Sequence, residues 1–464
     1  MFGDYKIVLG VAPTRRDVFP PREFALKTKA AAMKRVYEIL GDIPDLEVVT
    51  IEDLVPDGLL MDIADIPKIV DRFQSCHVDA LFVPHVNFGQ EEAVAKLAKA
   101  LNKPVLLWGP RDEVPPEDFS TRQSDTQCGL FVSGKALKRH KIPFTYIENC
   151  WLDDPSLPGQ IEDFIRTVSV VKKFRGMRIG QVSVRPRQFL STRINENQLL
   201  EKFQVDVVAL TAAEVLDEIE AVLKEKDEEF NKVRKDICDN TDHTGSREEE
   251  LDNITALECA YLRLGRKYNL DAIAADCWST YPKHLGIVPC FANGDTTEKG
   301  LPVACECDVH GALTTALLFA AARGEGTAFL ADLTIRHPFN DNGELLWHCG
   351  PFPKSLAKDG VTPKLVECQG RYELKGGPLT VARFDDDEGN YQLFIDNAKG
   401  VDGPPTGGNY LWMETDNWPA WERKLVCGPY IHHIGVIHGD YARILREAVK
   451  YMNGVMPDRA SRED

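Results

Sequence analysis

The segment that begins at Val303, VACECDVHGALTTALLFAAA, places two carboxylates, two thiols and an imidazole around the start of a long apolar run. Three kinds of chemistry fit these residue types: a thiolate metal site, a carboxylate site that takes part in a reaction, or a carboxylate that caps a helix. Cys305 and Cys307 supply at most two thiolates, whereas structural zinc needs four closed ligands. We therefore expect both cysteines to be packed free thiols.

The two carboxylates of this segment lead to different predictions. The run HGALTTALLFAAARG predicts an apolar helix that ends at a glycine, and Asp308 stands where the helix N-cap is expected. Glu306 lies two residues earlier, within the apolar strand end. A carboxylate in that position needs a cation or hydrogen bonds to stay charged, so Glu306 is the candidate functional carboxylate.

Further ligand-type residues interrupt apolar, strand-like runs later in the chain. Asp332 lies in GTAFLADLTI, His348 lies in ELLWHCG, and His432 and His433 lie in GPYIHHIGVIHGD. Because side chains alternate along a strand, only one of the two adjacent histidines is expected to face a given site. Two carboxylates with one or two imidazoles and water would form a hard, octahedral-type site that suits Mn²⁺ or Mg²⁺.

The elements that must position these residues show a clear order along the chain. From YKIVLGVAP to KPVLLWG, apolar strands alternate with helices, which is typical of a parallel sheet covered on both faces. A second alternating unit starts near FRGMRIGQVSV and includes a long charged helix from Thr211 to about Cys238. From about residue 335, glycine and proline multiply and short strands alternate with turns, as in an antiparallel barrel or sandwich.

The predicted fold class is therefore α/β, with two parallel-sheet α/β units followed by a β-rich, antiparallel barrel-like C-terminal domain. With 464 residues the chain is too long for a single core. We predict an N-terminal α/β domain over residues 1–170, and a second α/β domain over 171–334 that carries the metal carboxylates. The third predicted domain, residues 335–464, is β-rich and carries the ligand histidine.

Composition limits the partners and the cellular location. The formal net charge of −17 argues against nucleic acid and anionic membranes as partners, because both need basic surface. The N-terminus lacks the basic and apolar regions of a signal peptide, and charged or breaking residues interrupt every long apolar run. The twelve cysteines are scattered, and several lie in apolar contexts. We therefore expect a reduced, cytoplasmic protein.

The segment CECDVHGALTTALL, followed by FLADL, HCG and a late HH…GD, resembles the L-fucose/L-arabinose isomerase family. In that family a glutamate of an E-x-D segment, an acidic residue that ends the next strand and a C-terminal histidine hold Mn²⁺. The resemblance implies Glu306, Asp332 and His433 as metal ligands, with His348 as a possible further ligand. The phrases GVAPTRRDVF, VPHVNFGQEE and TRQSDTQCGL resemble the small fucose-isomerase-like members.

The resemblance implies an aldose–ketose isomerase that acts through an ene-diol on a pentose or 6-deoxyhexose-type sugar. Glu306 and Asp332 would exchange the proton between C1 and C2, while Mn²⁺, or another hard cation such as Mg²⁺, polarises the carbonyl. The candidate substrate-binding residues are Arg16, His432 and Trp278. Family members complete their sites across subunits, which implies a homo-oligomer, a hexamer or a trimer. The alternatives are a metal-dependent epimerase, a sugar-acid isomerase and a non-catalytic carbohydrate-binding protein.

Overall fold

The computed structural model describes residues 3, 5–18, 20–115, 117 and 123–460. Of the N-terminal phrases quoted above, Phe19, Thr121 and Arg122 lie outside the described residues. The chain forms two compact units, the first Tyr5–Lys172 and the second Lys173–Asp464 together with Met1–Asp4. The division into three domains stays a prediction.

The first unit is a parallel sheet with helices on both faces. Alternate residues of its first strand enter two different cores, Ile7 and Leu9 on one face and Val8 on the other, as a continuous apolar run predicts. The sheet has the order β2-β1-β3-β4-β5, and every pair in it is parallel. Its elements are β1 (Ile7–Val11), α1 (Arg22–Gly41), β2 (Leu46–Thr50), α2 (Ile66–Ser75), β3 (Ala80–Pro84), α3 (Glu91–Leu101), β4 (Val105–Trp108), α4 (Thr126–Arg139), β5 (Thr145–Tyr146) and α5 (Leu157–Phe174).

The second unit begins with a smaller parallel sheet. Its strands have the order β7-β6-β8-β9, and all three pairs are parallel. The elements are β6 (Arg178–Val182), α6 (Glu196–Phe203), β7 (Asp206–Leu210), α7 (Ala212–Glu225), α8 (Glu228–Asn240), α9 (Glu248–Tyr268), β8 (Ala272–Ala275), α10 (Thr280–Leu285), α11 (Cys290–Glu298), β9 (Val303–Ala304) and α12 (Val309–Ala322).

The prediction of one long helix from Thr211 to about Cys238 is wrong, because two helices, α7 and α8, occupy this stretch. Lys226 ends the first helix with a left-handed backbone conformation, at φ 40°. The side chain of Asp227 then accepts a hydrogen bond from the backbone N–H of Phe230 and so caps the second helix. Neither glycine nor proline marks the break, so the capping aspartate was its only local signal.

The rest of the second unit is built around an antiparallel barrel. Its elements are β10 (Ala328–Arg336), β11 (Gly343–His348), β12 (Lys364–Val366), β13 (Gln369–Glu373), β14 (Gly377–Asp387), β15 (Asn390–Val401), β16 (Asn409–Glu414), α13 (Trp418–Cys427), β17 (His433–His438), α14 (Ala442–Val449) and β18 (Val455–Asp458). Six strands form a closed ring in the order β16-β11-β10-β17-β14-β15, because β15 also pairs with β16. The predicted fold class is thus confirmed: two parallel α/β sheets and a barrel-containing β-rich part.

Helix α12 joins the second parallel sheet to the barrel. All of its residues are buried. The helix contacts β8 of the sheet, and it also contacts β10, β14 and β17 of the barrel. A helix covered on every side needs apolar residues all round, which explains the run ALTTALLFAAA. None of the described helices has the length and apolar character required to cross a membrane.

The packing of β17 on α12 can be tested at Gly435. A Cβ atom at this position would lie 2.8 Å from Cγ2 of Thr314 and 3.0 Å from Cδ1 of Leu318. We expect Gly435→Val to lower the free energy of unfolding by about 1–3 kcal/mol, because overpacking forces neighbouring groups to shift. Urea unfolding followed by tryptophan fluorescence measures this change. The control Gly407→Ala points into open space and should have little effect; equal losses in both variants would contradict the packing.

Candidate active site

Glu306 lies in a tight turn between β9 and α12. Glu306 and Cys307 both have a left-handed backbone, with φ 55° and φ 53°, a conformation that costs non-glycine residues about 1 kcal/mol or more each. The carboxylate is buried, and its Oε1 accepts hydrogen bonds from Sγ of Cys277 at 3.3 Å and from Nε1 of Trp278 at 3.2 Å. The strained turn thus places a buried carboxylate at the carboxyl end of a parallel sheet, where such sheets bind ligands.

Three neighbouring barrel strands bring the other predicted ligands to Glu306. Asp332 of β10 lies opposite His433, the first residue of β17, and opposed residues of an antiparallel pair project to the same face. Nε2 of His433 lies 3.6 Å from Oε2 of Glu306 and 3.6 Å from Oδ1 of Asp332. Nε2 of His348, at the end of β11, lies 4.0 Å from the same Asp332 oxygen. All four residues predicted as ligands therefore converge on one place.

The converging atoms lack partners within the described part of the chain. Oε2 of Glu306, Oδ1 of Asp332 and Nε2 of His348 are buried and accept or donate no hydrogen bond there. Separations of 3.6–4.0 Å are too long for hydrogen bonds between them. Buried polar atoms are normally satisfied, so a cluster of unsatisfied ones needs an explanation. Two carboxylate oxygens and imidazole nitrogens with space between them fit a hard divalent cation.

The raised pKa of His348 also indicates that the cluster of ligand-type side chains favours a positive charge. Burial alone would lower the pKa of this imidazole. The Asp332 carboxylate overcomes that effect and raises the pKa to about 10. The two carboxylates of the cluster thus create a negative potential at the point where the four side chains meet.

The expectation that His432 and His433 face opposite sides is wrong. Strand β17 begins at His433, so His432 precedes the strand and is not bound by its alternation. Nε2 of His432 lies 3.9 Å from Oδ1 of Asp332, and the two imidazole centroids are 4.3 Å apart. The side chain of His432 is 44% exposed, compared with 1% for His433. His433 is therefore the enclosed member of the pair, and His432 lies beside it at the open side of the site.

Asp308 caps α12, as predicted, by accepting a hydrogen bond from the backbone N–H of Gly311 at 2.9 Å. It also accepts a hydrogen bond from Nδ1 of His433 at 2.9 Å and one from Nη2 of Arg383 at 3.1 Å. Burial favours the neutral acid, but the guanidinium of Arg383 and the imidazole of His433 hold the pKa of Asp308 well below its usual range. Since Nδ1 of His433 donates to Asp308, Nε2 presents its lone pair to the site.

The cysteines on either side of Glu306 are free and buried, as expected. Sγ of Cys305 accepts a hydrogen bond from Nδ2 of Asn293 at 3.4 Å, and Sγ of Cys307 donates one to the carbonyl oxygen of Val182 at 3.3 Å. The hydrogen bond with the neighbouring Cys277 and burial raise the pKa of Cys305, and burial raises that of Cys307. Both are neutral thiols, which favours packing over thiolate ligation.

The predicted substrate-binding residues lie in different parts of the molecule. Trp278, whose side chain is half exposed, donates its indole N–H to Glu306. His432 lies beside Asp332. Arg16 belongs to the first unit, where its guanidinium stacks 3.7 Å above the centre of the Phe88 ring. The substrate contacts of all three stay predictions.

Two residues near the candidate ligands had no predicted role: Cys277 contacts Glu306 directly, and Arg383 contacts Asp308, which holds His433. Arg383 is fully enclosed and binds Asp308, and the signal for it was an arginine inside the apolar strand run LTVARF. A buried charge needs a partner, so an arginine in such a run indicates that a carboxylate lies opposite it in the fold. Cys277 donates to Glu306 from the segment DCWSTYP. Nothing in the local sequence distinguishes this thiol from an ordinary buried cysteine.

Comparison with known proteins identifies relatives over most of the chain. Residues 10–175 match a family model described as the fucose/sulfoquinovose isomerase N-terminal domain. A sulfoquinovose isomerase of Priestia aryabhattai is 24% identical over 411 residues, which cover 86% of this chain and 90% of that protein. A sulfoquinovose isomerase of Alkalicoccus urumqiensis is 22% identical over 407 residues, which cover 85% of this chain and 89% of that protein.

The variant Asp308→Asn separates a capping role from a role in the buried network. A pure N-cap loses little when asparagine replaces aspartate. Because Asp308 also faces Arg383 inside the protein, we expect the free energy of unfolding to fall by about 3 kcal/mol or more in urea. The control is Asp62→Asn, since Asp62 caps an exposed turn through the N–H of Ala64. Small and equal effects in both variants would contradict the network role.

Proposed function

We propose, on the premise that the chain belongs to the fucose isomerase-like family, that it is a divalent-metal-dependent enzyme acting on a sulfonated sugar. The enzyme is an isomerase that interconverts an aldose and a ketose. The metal proposed is Mn²⁺, or another hard cation such as Mg²⁺. The observation that carries this proposal is a cluster of three buried, unpartnered atoms, Oε2 of Glu306, Oδ1 of Asp332 and Nε2 of His348. The first two lie 3.6 Å from Nε2 of His433, and the third lies 4.0 Å from the Asp332 oxygen.

Glu306, Asp332 and His433 are the proposed metal ligands, with His348 as a fourth. The bound ion would polarise the sugar carbonyl and stabilise the negative charge that develops as the ene-diol forms. The protein's own contribution is orientation. Asp308 fixes the tautomer and the direction of His433, and Cys277 with Trp278 fixes one oxygen of Glu306 while leaving the other free.

Glu306 and Asp332 are the proposed proton-transfer groups. In the direction from aldose to ketose, a carboxylate takes the proton from C2 and a carboxylic acid returns one to C1. The hydroxyl proton of O2 moves to O1, so no atom or electron is gained or lost overall. The free oxygens Oε2 of Glu306 and Oδ1 of Asp332 both face the same space from different elements. Each group can therefore serve as base in one direction and as acid in the other.

The substrate class is proposed from the relatives rather than from the metal site. The family resemblance implied a pentose or a 6-deoxyhexose-type sugar. The relatives are named for sulfoquinovose, which is a sulfonated sugar. We therefore propose a sulfonated hexose as the substrate, to be assayed beside neutral pentoses and 6-deoxyhexoses.

Metal removal tests the proposed centre directly. We expect EDTA-treated protein to lose isomerase activity. Mn²⁺ should restore it better than Zn²⁺, because two carboxylates and two imidazoles with added sugar or water oxygens form an octahedral-type set, whereas zinc prefers four tetrahedral ligands. Metal content measured by mass spectrometry, before and after treatment, accompanies the assay. Full turnover by protein shown to be free of metal would contradict the proposal.

The proton-transfer step is tested in D₂O and with two isosteric variants. Deuterium should appear on the carbon next to the product carbonyl, because a carboxylate-bound proton exchanges with solvent, whereas a direct hydride shift would leave that carbon unlabelled. Glu306→Gln and Asp332→Asn should each lower kcat by about 10²–10⁴-fold under saturating Mn²⁺. The exposed Glu422→Gln serves as control and should retain wild-type kcat. Unlabelled product with active variants would refute both assignments.

A further inference from the structure

A cavity of about 480 Å³ lies in the second unit at the carboxyl end of β6. Three arginines contribute to its wall, and all three come from the loop that follows this strand. We call it the arginine cavity; the wall includes Arg185, Arg187, Thr192, Arg193, Glu196 and Cys307. A cavity of this kind stands out in a chain whose formal net charge is −17.

The guanidinium groups of this cavity are not neutralised by the protein. Arg185, Arg187 and Arg193 form no ion pair within 4.0 Å in the described part of the chain, and Glu196, the carboxylate of the wall, forms none either. Nη1 of Arg185 donates to the backbone carbonyls of its own loop, including that of Phe189 at 3.1 Å. Arg187 and Arg193 are exposed, and their guanidinium groups have no described hydrogen bond. Such free guanidinium groups bind oxyanions in a bidentate manner.

The arginine cavity adjoins the candidate active site. Its wall includes Cys307, the residue that follows Glu306. The arginine-bearing loop also carries Phe189, whose ring centre lies 5.3 Å from that of Trp278 and 6.2 Å from that of His433. One loop thus touches the site with an aromatic ring and lines the cavity with arginines. Both lie along the same carboxyl edge of the sheet, where open α/β sheets bind ligands.

The strand order sets the distance between the two places. β6, which leads into the arginine loop, and β9, which leads into Glu306, are separated by β8 alone. Neighbouring strands are about 4.8 Å apart, so the two strand ends are about 10 Å apart. An extended open-chain hexose with its end substituents is comparable in length. A sugar whose first two carbons face Glu306 would therefore reach the arginine cavity with its far end.

We propose that Arg187 and Arg193, supported by Arg185, bind the anionic substituent of the sugar, a sulfonate at the end remote from C1 and C2. This inference rests on the proposed function, since it identifies which part of the protein selects that substrate. The shared chemistry is a tetrahedral oxyanion, and the other possible source is a free anion such as inorganic sulfate. The loop arginines are thus specificity residues, while the carboxylates and histidines serve the reaction.

The double variant Arg187→Gln/Arg193→Gln tests this assignment. We expect kcat/KM for sulfoquinovose to fall about 10- to 100-fold, mainly through KM, because two charge-assisted hydrogen bonds are lost. The kcat/KM for quinovose, the neutral 6-deoxy counterpart, should change less than about twofold. Arg423→Gln, which removes an exposed arginine of α13 far along the chain, should leave both values unchanged. Equal losses for the charged and the neutral sugar would overturn the proposal.

Direct binding separates this inference from the proposed reaction. Calorimetric titration of the wild-type protein with sulfoquinovose at low salt should give a binding isotherm that weakens at high salt and is lost in the double variant. That result would support sulfonate binding by the arginine cavity even if no sugar is isomerised. If the double variant is correctly folded by circular dichroism and binds sulfoquinovose unchanged, the proposed role of the arginine cavity is wrong. The proposed isomerase function would not be affected by that result. Loss of inorganic sulfate binding with unaltered sulfoquinovose kinetics would also overturn it, in favour of a free-anion site.

Discussion

The ion pair between Asp308 and Arg383 is the interaction on which the site and the packing around it depend. Both side chains are only 1% exposed, so neither charge is compensated by water. Asp308 begins α12, Arg383 comes from β14, and His433, which donates to the same carboxylate, begins β17. Removal of one partner of a buried pair costs about 3–5 kcal/mol, because the other charge is left unpaired. The same contact therefore secures the helix, the barrel and the direction of the imidazole.

This network makes an otherwise unfavourable site possible. Each buried polar atom without a partner costs about 1–3 kcal/mol, and Glu306, Asp332 and His348 each contribute one such atom. The left-handed turn at Glu306 adds backbone strain. A helix buried along its whole length holds this arrangement in place, since α12 packs on the sheet and on the barrel at once. Because their elements are held in place, these atoms of Glu306, Asp332 and His348 do not move together to form hydrogen bonds, and all three face the space between them.

The sequence could predict those features of the fold and the candidate site that appear as a local pattern of apolar and polar residues. Apolar strands and the all-apolar helix reveal their burial through periodicity, and Glu306 and Asp332 stand out because each interrupts such a run. The prediction that His432 and His433 face opposite sides was wrong because His432 precedes β17. Where a strand begins depends on its pairing with other strands, which the sequence alone does not define. Arg383 and Asp308 are 75 residues apart, and nothing local links them. The substrate contacts and the homo-oligomer stay predictions, since both depend on surfaces of the folded protein that no local sequence pattern reveals.

Charge is distributed along one edge of the second sheet in a way that the net charge conceals. Carboxylates follow β9 and arginines follow β6, and Phe189 of the arginine-bearing loop packs edge to face with Trp278. None of the three arginines forms an ion pair with Glu306 in the described part of the chain, so both kinds of charge stay available to a ligand. Opposite charges held apart by a fixed strand spacing can distinguish the two ends of a sugar before any reaction occurs. The proposed anionic substrate is thus compatible with an acidic chain, because binding depends on the local field at the cavity and not on the sum over the surface.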